Sequence, residues 1–226
     1  MRIDPALLTP AVHIAAAVLA LLALAVALRA APWRALHAVP VRQHLLFLCV
    51  LALVVLHLMA FRPVPGISLH LLGMTAITAL LGTSLATLAG LLAITVLALA
   101  GQQSWSGVPL SWLLGVVVPA LATGGLLALL ARSRVRNLFV FLLGIGFGGG
   151  MVAVLATALA GMLVLLLAGQ GALASAGWSH IAMLPLFLFP EGFVNGAALS
   201  TLTVYFPHLV RGFDEERFLE PPPDRP

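Results

Sequence analysis

The segment Arg62–Gly73 reads RPVPGISLHLLG and separates two long apolar runs of the chain. Its prolines and its first glycine do not permit a simple helix through residues 63–66. The segment then places His70 at the start of the next apolar run. An imidazole beside a strongly hydrophobic span is either an interfacial residue in contact with water or a ligand facing a cavity. Which of the two it is determines what the protein does.

The composition identifies a membrane protein. Hydrophobic residues make up 62% of the 226 residues and charged residues 8%, and the mean hydropathy is +1.15. A soluble domain could not cover so much apolar surface with so few charges. The basic residues are all arginines and form no contiguous patch, so nucleic acid is not an expected partner. The single cysteine, Cys49, excludes an internal disulfide and a cysteine-rich metal site.

The apolar runs predict an all-α polytopic bundle of about seven membrane-spanning helices. Residues 68–100 are too long for one ordinary span, and Gly82-Thr83-Ser84 supplies a break with helix-capping residues. The bundle is predicted to occupy residues 1–205. Residues 206–226 are predicted to form a cytoplasmic tail that is partly disordered. The predicted spans are 10–28, 44–61, 68–81, 84–100, 110–131, 137–168 and 178–205, with an uncharged Gly/Ala/Ser loop ending at residue 177.

The arginines predict the orientation of the bundle. With seven spans, eight of the arginines between residues 29 and 217 fall on one side and only Arg2 and Arg62 on the other. The positive-inside rule then places the N-terminus outside and the C-terminus in the cytoplasm of a multi-pass protein of the inner (plasma) membrane. The eight arginines are those at positions 29, 34, 42, 132, 134, 136, 211 and 217.

The same orientation places four histidines, His13, His57, His70 and His180, near the outer ends of their helices. Neutral imidazole suits nickel, cobalt, copper and zinc ions, so these residues are candidate metal ligands. The alternative is that they are histidines at a wet interface.

Glu191 lies inside the last predicted span, in the sequence FPEGFVNG, and Asn195 follows one helical turn later. A charge at that depth must face the protein interior, be paired or be neutral. The carboxyl group is predicted to be mainly structural, with metal ligation or gating by Glu191 and Asn195 as the alternative.

No motif for hydrolysis is present. The sequence contains no P-loop, no His-Glu-x-x-His and no Gly-x-Ser-x-Gly, so the chain is not expected to be an enzyme. The glycine-rich run 144–150 lies inside an apolar span and predicts close helix packing, not a nucleotide loop.

Three motifs, in order along most of the chain, carry a family resemblance. They are the N-terminal MRIDPALLTP, the SLHLLG that contains His70, and the Pro190-Glu191-Gly192 of the last span. In these the chain resembles the CbiM/NikM family, the substrate-binding membrane components of energy-coupling-factor transporters for cobalt and nickel. The resemblance implies uptake of a transition metal cation in a lipid membrane, with separate ATPase and transmembrane coupling subunits. It implies no resident cofactor other than the transported ion.

The resemblance also implies a metal site beneath the N-terminus. In the family, the terminal amine (here Met1), the backbone nitrogen and imidazole of a histidine at position 2, and a histidine matching His70 bind the ion. Here position 2 is Arg2, whose guanidinium cannot bind a metal cation and repels it. The carboxylate of Asp4 could form an ion pair with Arg2. Met1 and His70 are therefore the expected ligands, with the other outer histidines, Glu191 and Asn195 as secondary candidates. The rival hypothesis is a non-transporting membrane accessory protein that has lost its metal site.

Overall fold

A computed structural model describes residues 1–179 and 184–219 of the chain. These residues are mainly helical, and they also include a three-stranded sheet that the sequence did not predict. Four helices are long and apolar enough to cross a membrane, so the prediction of a helical membrane protein is confirmed at that level. They are Pro10–Ala30, Pro40–Leu58, Trp105–Arg132 and Val140–Leu167.

The helices are numbered along the chain. They are α1 (Pro10–Ala30), α2 (Trp33–Ala38), α3 (Pro40–Leu58), α4 (Met74–Leu81), α5 (Thr83–Leu99), α6 (Val108–Trp112), α7 (Val118–Arg132), α8 (Gly149–Leu167), α9 (Gly171–Ser179), α10 (Leu184–Tyr205) and α11 (Glu215–Leu219). A wide π-helical segment, Leu113–Val117, joins α6 to α7, and a second one, Val140–Gly148, leads into α8.

The break at Gly82 is confirmed, but the helix before it is shorter than predicted. Gly82 has a φ of 80°, which a side chain would disfavour, and it separates α4 from α5. Residues 67–69 form a strand, so α4 begins at Met74 and not near residue 68. All eight residues of α4 are buried, which places this helix inside the bundle.

A small antiparallel sheet holds the N-terminus. Its strands β1 (Arg2–Ile3), β2 (Phe61–Val64) and β3 (Ile67–Leu69) are ordered β1-β3-β2. The tight turn between β2 and β3 is Pro65-Gly66, with Gly66 at a φ of 83°, as expected when proline opens a turn and glycine follows it. Arg2 pairs with Ser68 in the register of β1 and β3. The first residues of the chain thus lie against the segment that ends at His70.

Two other boundaries differ from the prediction. The second span ends at Leu58 and not at Phe61, because Phe61 begins β2. The predicted loop before residue 177 is instead the helix α9, which fits its alanine content.

The described part of the tail folds back onto the end of α7. The guanidinium of Arg217 in α11 donates hydrogen bonds to main-chain carbonyls in the last turn of α7 and just beyond it. A positive charge at a helix C-terminus is also favourable for the helix dipole. The accepting carbonyls belong to Leu130, Ala131, Ser133 and Val135.

Glycines bring α8 and α10 into backbone contact, which confirms the packing predicted for the run 144–150. A Cβ atom on Gly150 would lie 3.0 Å from the Cα of Gly192, and one on Gly146 would lie 3.1 Å from the Cα of Gly196. Helices cross this closely only where side chains are absent.

We predict that Gly192→Ala destabilises the bundle, because its new Cβ would lie 2.8 Å from the carbonyl oxygen of Phe147. Overpacking of this kind costs about 1–3 kcal/mol. The melting temperature of the purified protein in detergent should fall. The matched control is Gly125→Ala in α7, where a Cβ meets nothing within 4 Å. If Gly192→Ala melted at the same temperature as this control, the close backbone contact at Gly192 would be contradicted.

Candidate metal centre

The N-terminal amine meets the imidazole of His70. The nitrogen of the Met1 amine lies 2.9 Å from Nε2 of His70. Nδ1 of the same ring lies 3.0 Å from the carbonyl oxygen of Leu71. Because only a protonated Nδ1 can donate to that carbonyl, the contact selects the tautomer whose Nε2 carries the lone pair. The lone pair of His70 is therefore directed at the amine.

The pKa values of the Met1 amine and of the His70 imidazole are both lowered, which favours the neutral forms. Both groups lie outside the membrane-spanning helices. Burial lowers the pKa of the Met1 amine to about 5, assisted by the positive charge of Arg2 and opposed by Glu191. Burial also lowers the pKa of His70 well below its ordinary value, and the adjacent amine lowers it further. At neutral pH each nitrogen thus has a lone pair that a metal ion could use.

The Met1 side chain anchors the amine. A Cβ atom on Gly161 of α8 would lie 2.5 Å from the sulfur of Met1, so the thioether fits where a side chain is missing. Beside the pair is a cavity of about 280 Å³ with mostly apolar walls, lined in part by Met1, His70, Thr157 and Phe187. The pair is therefore set in a low-dielectric pocket within the bundle.

Arg2 points its charge at main-chain oxygens. Its guanidinium donates to the carbonyl of His57 at 2.7 Å and to the carbonyl of Gln102 at 3.2 Å. Asp4, which the sequence suggested as its partner, instead accepts a hydrogen bond from the backbone N–H of Ala6. The expected pair between Arg2 and Asp4 is not formed.

His57, in the last turn of α3, is the second histidine at the site. Its ring is 2% exposed, and its centroid lies 4.0 Å from that of His70. Its Nε2 has no hydrogen-bond partner among the described residues. The structure thus brings together Met1, His57 and His70 of the residues that the sequence singled out.

Of the other two outer histidines, His13 is not part of this group. Nε2 of His13 lies 3.1 Å from the carbonyl oxygen of Pro5, to which it donates. His180 lies outside the described residues. Within the described range, no group of three or more His, Cys, Asp or Glu side chains is arranged to hold an ion.

Glu191 fixes the backbone that follows His70. Its carboxylate accepts hydrogen bonds from the N–H groups of Leu72 at 2.6 Å and Gly73 at 2.7 Å. The amide of Asn195 donates to the same carboxylate at 2.7 Å and accepts from the N–H of Ala76 at 2.8 Å. Both oxygens of Glu191 are thus engaged by N–H donors two and three residues beyond His70, which positions that ring.

The hairpin of β2 and β3 and the contacts of Arg2 were not predicted from the sequence. The Pro65-Gly66 dipeptide between β-branched residues was a hairpin signal that could have been recognised. The contact between Arg2 and the carbonyl of His57 has no sequence signal, since it joins residues 55 positions apart.

The fold and the site define a membrane-embedded helical protein in which the N-terminal amine and the imidazole of His70 meet beside a mostly apolar cavity. The sequence model of the CbiM family, described as the cobalt uptake substrate-specific transmembrane region, matches residues 2–209. The chain therefore belongs to this family, a transport family and not an enzyme family, whose members work in membrane transport complexes. No individual curated protein and no solved structure gave a significant match.

We predict that Glu191→Gln is destabilising. Both oxygens accept from N–H groups, and a glutamine would turn an NH₂ group toward one of those donors. A buried group left without its partner costs about 1–3 kcal/mol. The melting temperature in detergent should fall for Glu191→Gln and further for Glu191→Leu.

The control is Glu216→Gln, since Glu216 is exposed in α11. If Glu191→Gln melted at the temperature of this control, the carboxylate would not brace the backbone after His70.

Proposed function

We propose that the chain is the substrate-binding membrane component of an energy-coupling-factor transporter that takes up a cobalt- or nickel-like cation. The observation that carries the proposal is the 2.9 Å contact between the Met1 amine and Nε2 of His70. Two nitrogens that bind one ion at about 2.0–2.1 Å with a right angle between them are about 2.9 Å apart. The spacing therefore suits adjacent ligands, and nitrogen donors at right angles are favoured by Ni(II)-like ions.

The chain requires partners for active uptake. Its sequence contains no P-loop, so ATP hydrolysis must come from a separate ATPase, joined through a transmembrane coupling subunit. The proposed location is the inner membrane, with about seven spans, the N-terminus outside and the C-terminus inside. The arginine distribution supports this orientation.

A second candidate function is favoured by Arg2. It replaces the imidazole that the family resemblance places at position 2, and its charge opposes a cation nearby. A chain that kept the fold and lost the ion would be a non-transporting accessory protein. Metal binding distinguishes the two functions.

The test is calorimetric titration of Ni(II) and Co(II) into the purified protein with a free Met1 amine. We expect weak binding by the parent and at least tenfold tighter binding by Arg2→His, because an imidazole replaces a repelling cation. His70→Ala should abolish binding in both backgrounds. A two-residue extension before Met1, which displaces the amine, should do the same, whereas a tag after Pro226 should change nothing.

The parent, Arg2→His, His70→Ala and the double variant form a double-mutant cycle, and the detection limit for the His70→Ala proteins sets how much of the gain from Arg2→His depends on His70. If neither the parent nor Arg2→His bound either ion, transport of the metal would be rejected in favour of the accessory protein.

We also predict the orientation. Single-cysteine labelling in intact cells, in a Cys49→Ala background, should modify residues 102–108 and 170–176 from outside. Residues 132–136 and the tail should react only after the membrane is made permeable, because the basic connections stay in the cytoplasm. A tail that reacts in intact cells would overturn the seven-span arrangement.

A further inference from the structure

The site keeps the Met1 amine, His70 and the main-chain nitrogen of residue 2, but Arg2 provides no side-chain donor. The Arg2 guanidinium is held by the carbonyls of His57 and Gln102. An ion in the proposed transport site therefore lacks one imidazole of the ligand set that the family resemblance implies.

We propose that His57 supplies the missing imidazole nitrogen, so that an imidazole from α3 takes the place of the one absent at position 2. The proposal rests on the proposed function and assigns the ligands of that site. The resulting set includes the Met1 amine and two imidazoles.

The burial of His57 is the first support. The ring is 2% exposed, yet its Nε2 has no hydrogen-bond partner among the described residues. A buried polar atom without a partner is costly, and a metal ligand is one of the roles that explain why it is kept. The nitrogens of His70, in contrast, are both engaged, by Met1 and Leu71.

The distance between the two rings is the second support. Their centroids are 4.0 Å apart, with an angle of 55° between the ring planes. Two imidazoles that bind one ion at about 2.0–2.1 Å and at a right angle have centroids about 4.5 Å apart. The separation of the two rings is therefore close to that of two imidazoles that bind one ion.

Arg2 supports the same site as a positioning residue. Its guanidinium binds the carbonyl of His57 at 2.7 Å, and this carbonyl lies in the last turn of α3, where main-chain acceptors lack helical partners. The residue that replaces the position-2 histidine thus holds the end of α3 that carries His57. Its positive charge is directed at those oxygens.

The test compares Co(II) binding by the full chain with a free amine and by its His57 variants. His57→Phe keeps an aromatic ring against His70 and removes the ring nitrogens. His57→Gln is a second, polar substitution that is measured in case His57→Phe does not fold. We expect both variants to bind Co(II) about tenfold to a hundredfold more weakly than the parent. The control is His44→Phe, an exposed histidine on the same helix, which should bind as the parent does.

Two further readouts separate ligation from packing. X-ray absorption of the Co(II) protein should detect two imidazoles in the parent and one in His57→Phe. Adding Arg2→His to His57→Phe should restore affinity to within a few-fold of the parent, because the imidazole returns at position 2.

Parent-like binding by both His57 variants, or one imidazole in the parent, would overturn the assignment of His57. The proposed function would survive that result if His70→Ala still abolished binding. Absence of Co(II) and Ni(II) binding by both the parent and Arg2→His would instead refute the proposed function and this assignment together.

Discussion

The pairing of β1 with β3 is the interaction on which the site depends. Two residues at the start of the chain, Arg2 and Ile3, pair with Ser68 and Ile67 and so fix the position of Met1. Asp4 extends the pairing, since its N–H donates to the carbonyl of Gly66 at 2.7 Å. A free N-terminus loses order readily unless it is tied down in this way. Without the sheet, the terminal amine would have no reason to meet His70.

Two separate sets of hydrogen bonds position the backbone next to the two imidazoles. From one side, Glu191 of α10 binds the N–H groups of Leu72 and Gly73, just after His70. From the other side, Arg2 binds the carbonyl of His57 at the end of α3. The two imidazoles are thus positioned through their backbones by groups that are themselves buried or half-buried. Such indirect support is what fixes the geometry of a binding site in a protein interior.

The close contact of α8 with α10 links this site to the bundle. Gly150 faces the main chain of Glu191 and Gly192, and Gly161 of α8 receives the side chain of Met1. The helix α8 therefore contacts both the Met1 side chain and the main chain at Glu191. A change in how α8 packs would move these two parts of the structure together.

The sequence by itself determined the class of protein, the break at Gly82, the glycine contact and the candidates Met1 and His70. The first three follow from composition, from local backbone preferences and from short motifs, none of which needs the tertiary structure, whereas Met1 as a ligand is what the family resemblance implies. Only the tertiary structure decided that the N-terminus forms a strand, that Arg2 turns to the carbonyl of His57, and that His57, but not His13, adjoins His70. Those contacts join residues 55 to 69 positions apart or depend on the direction of a side chain, and a two-residue strand has too few residues to leave a pattern.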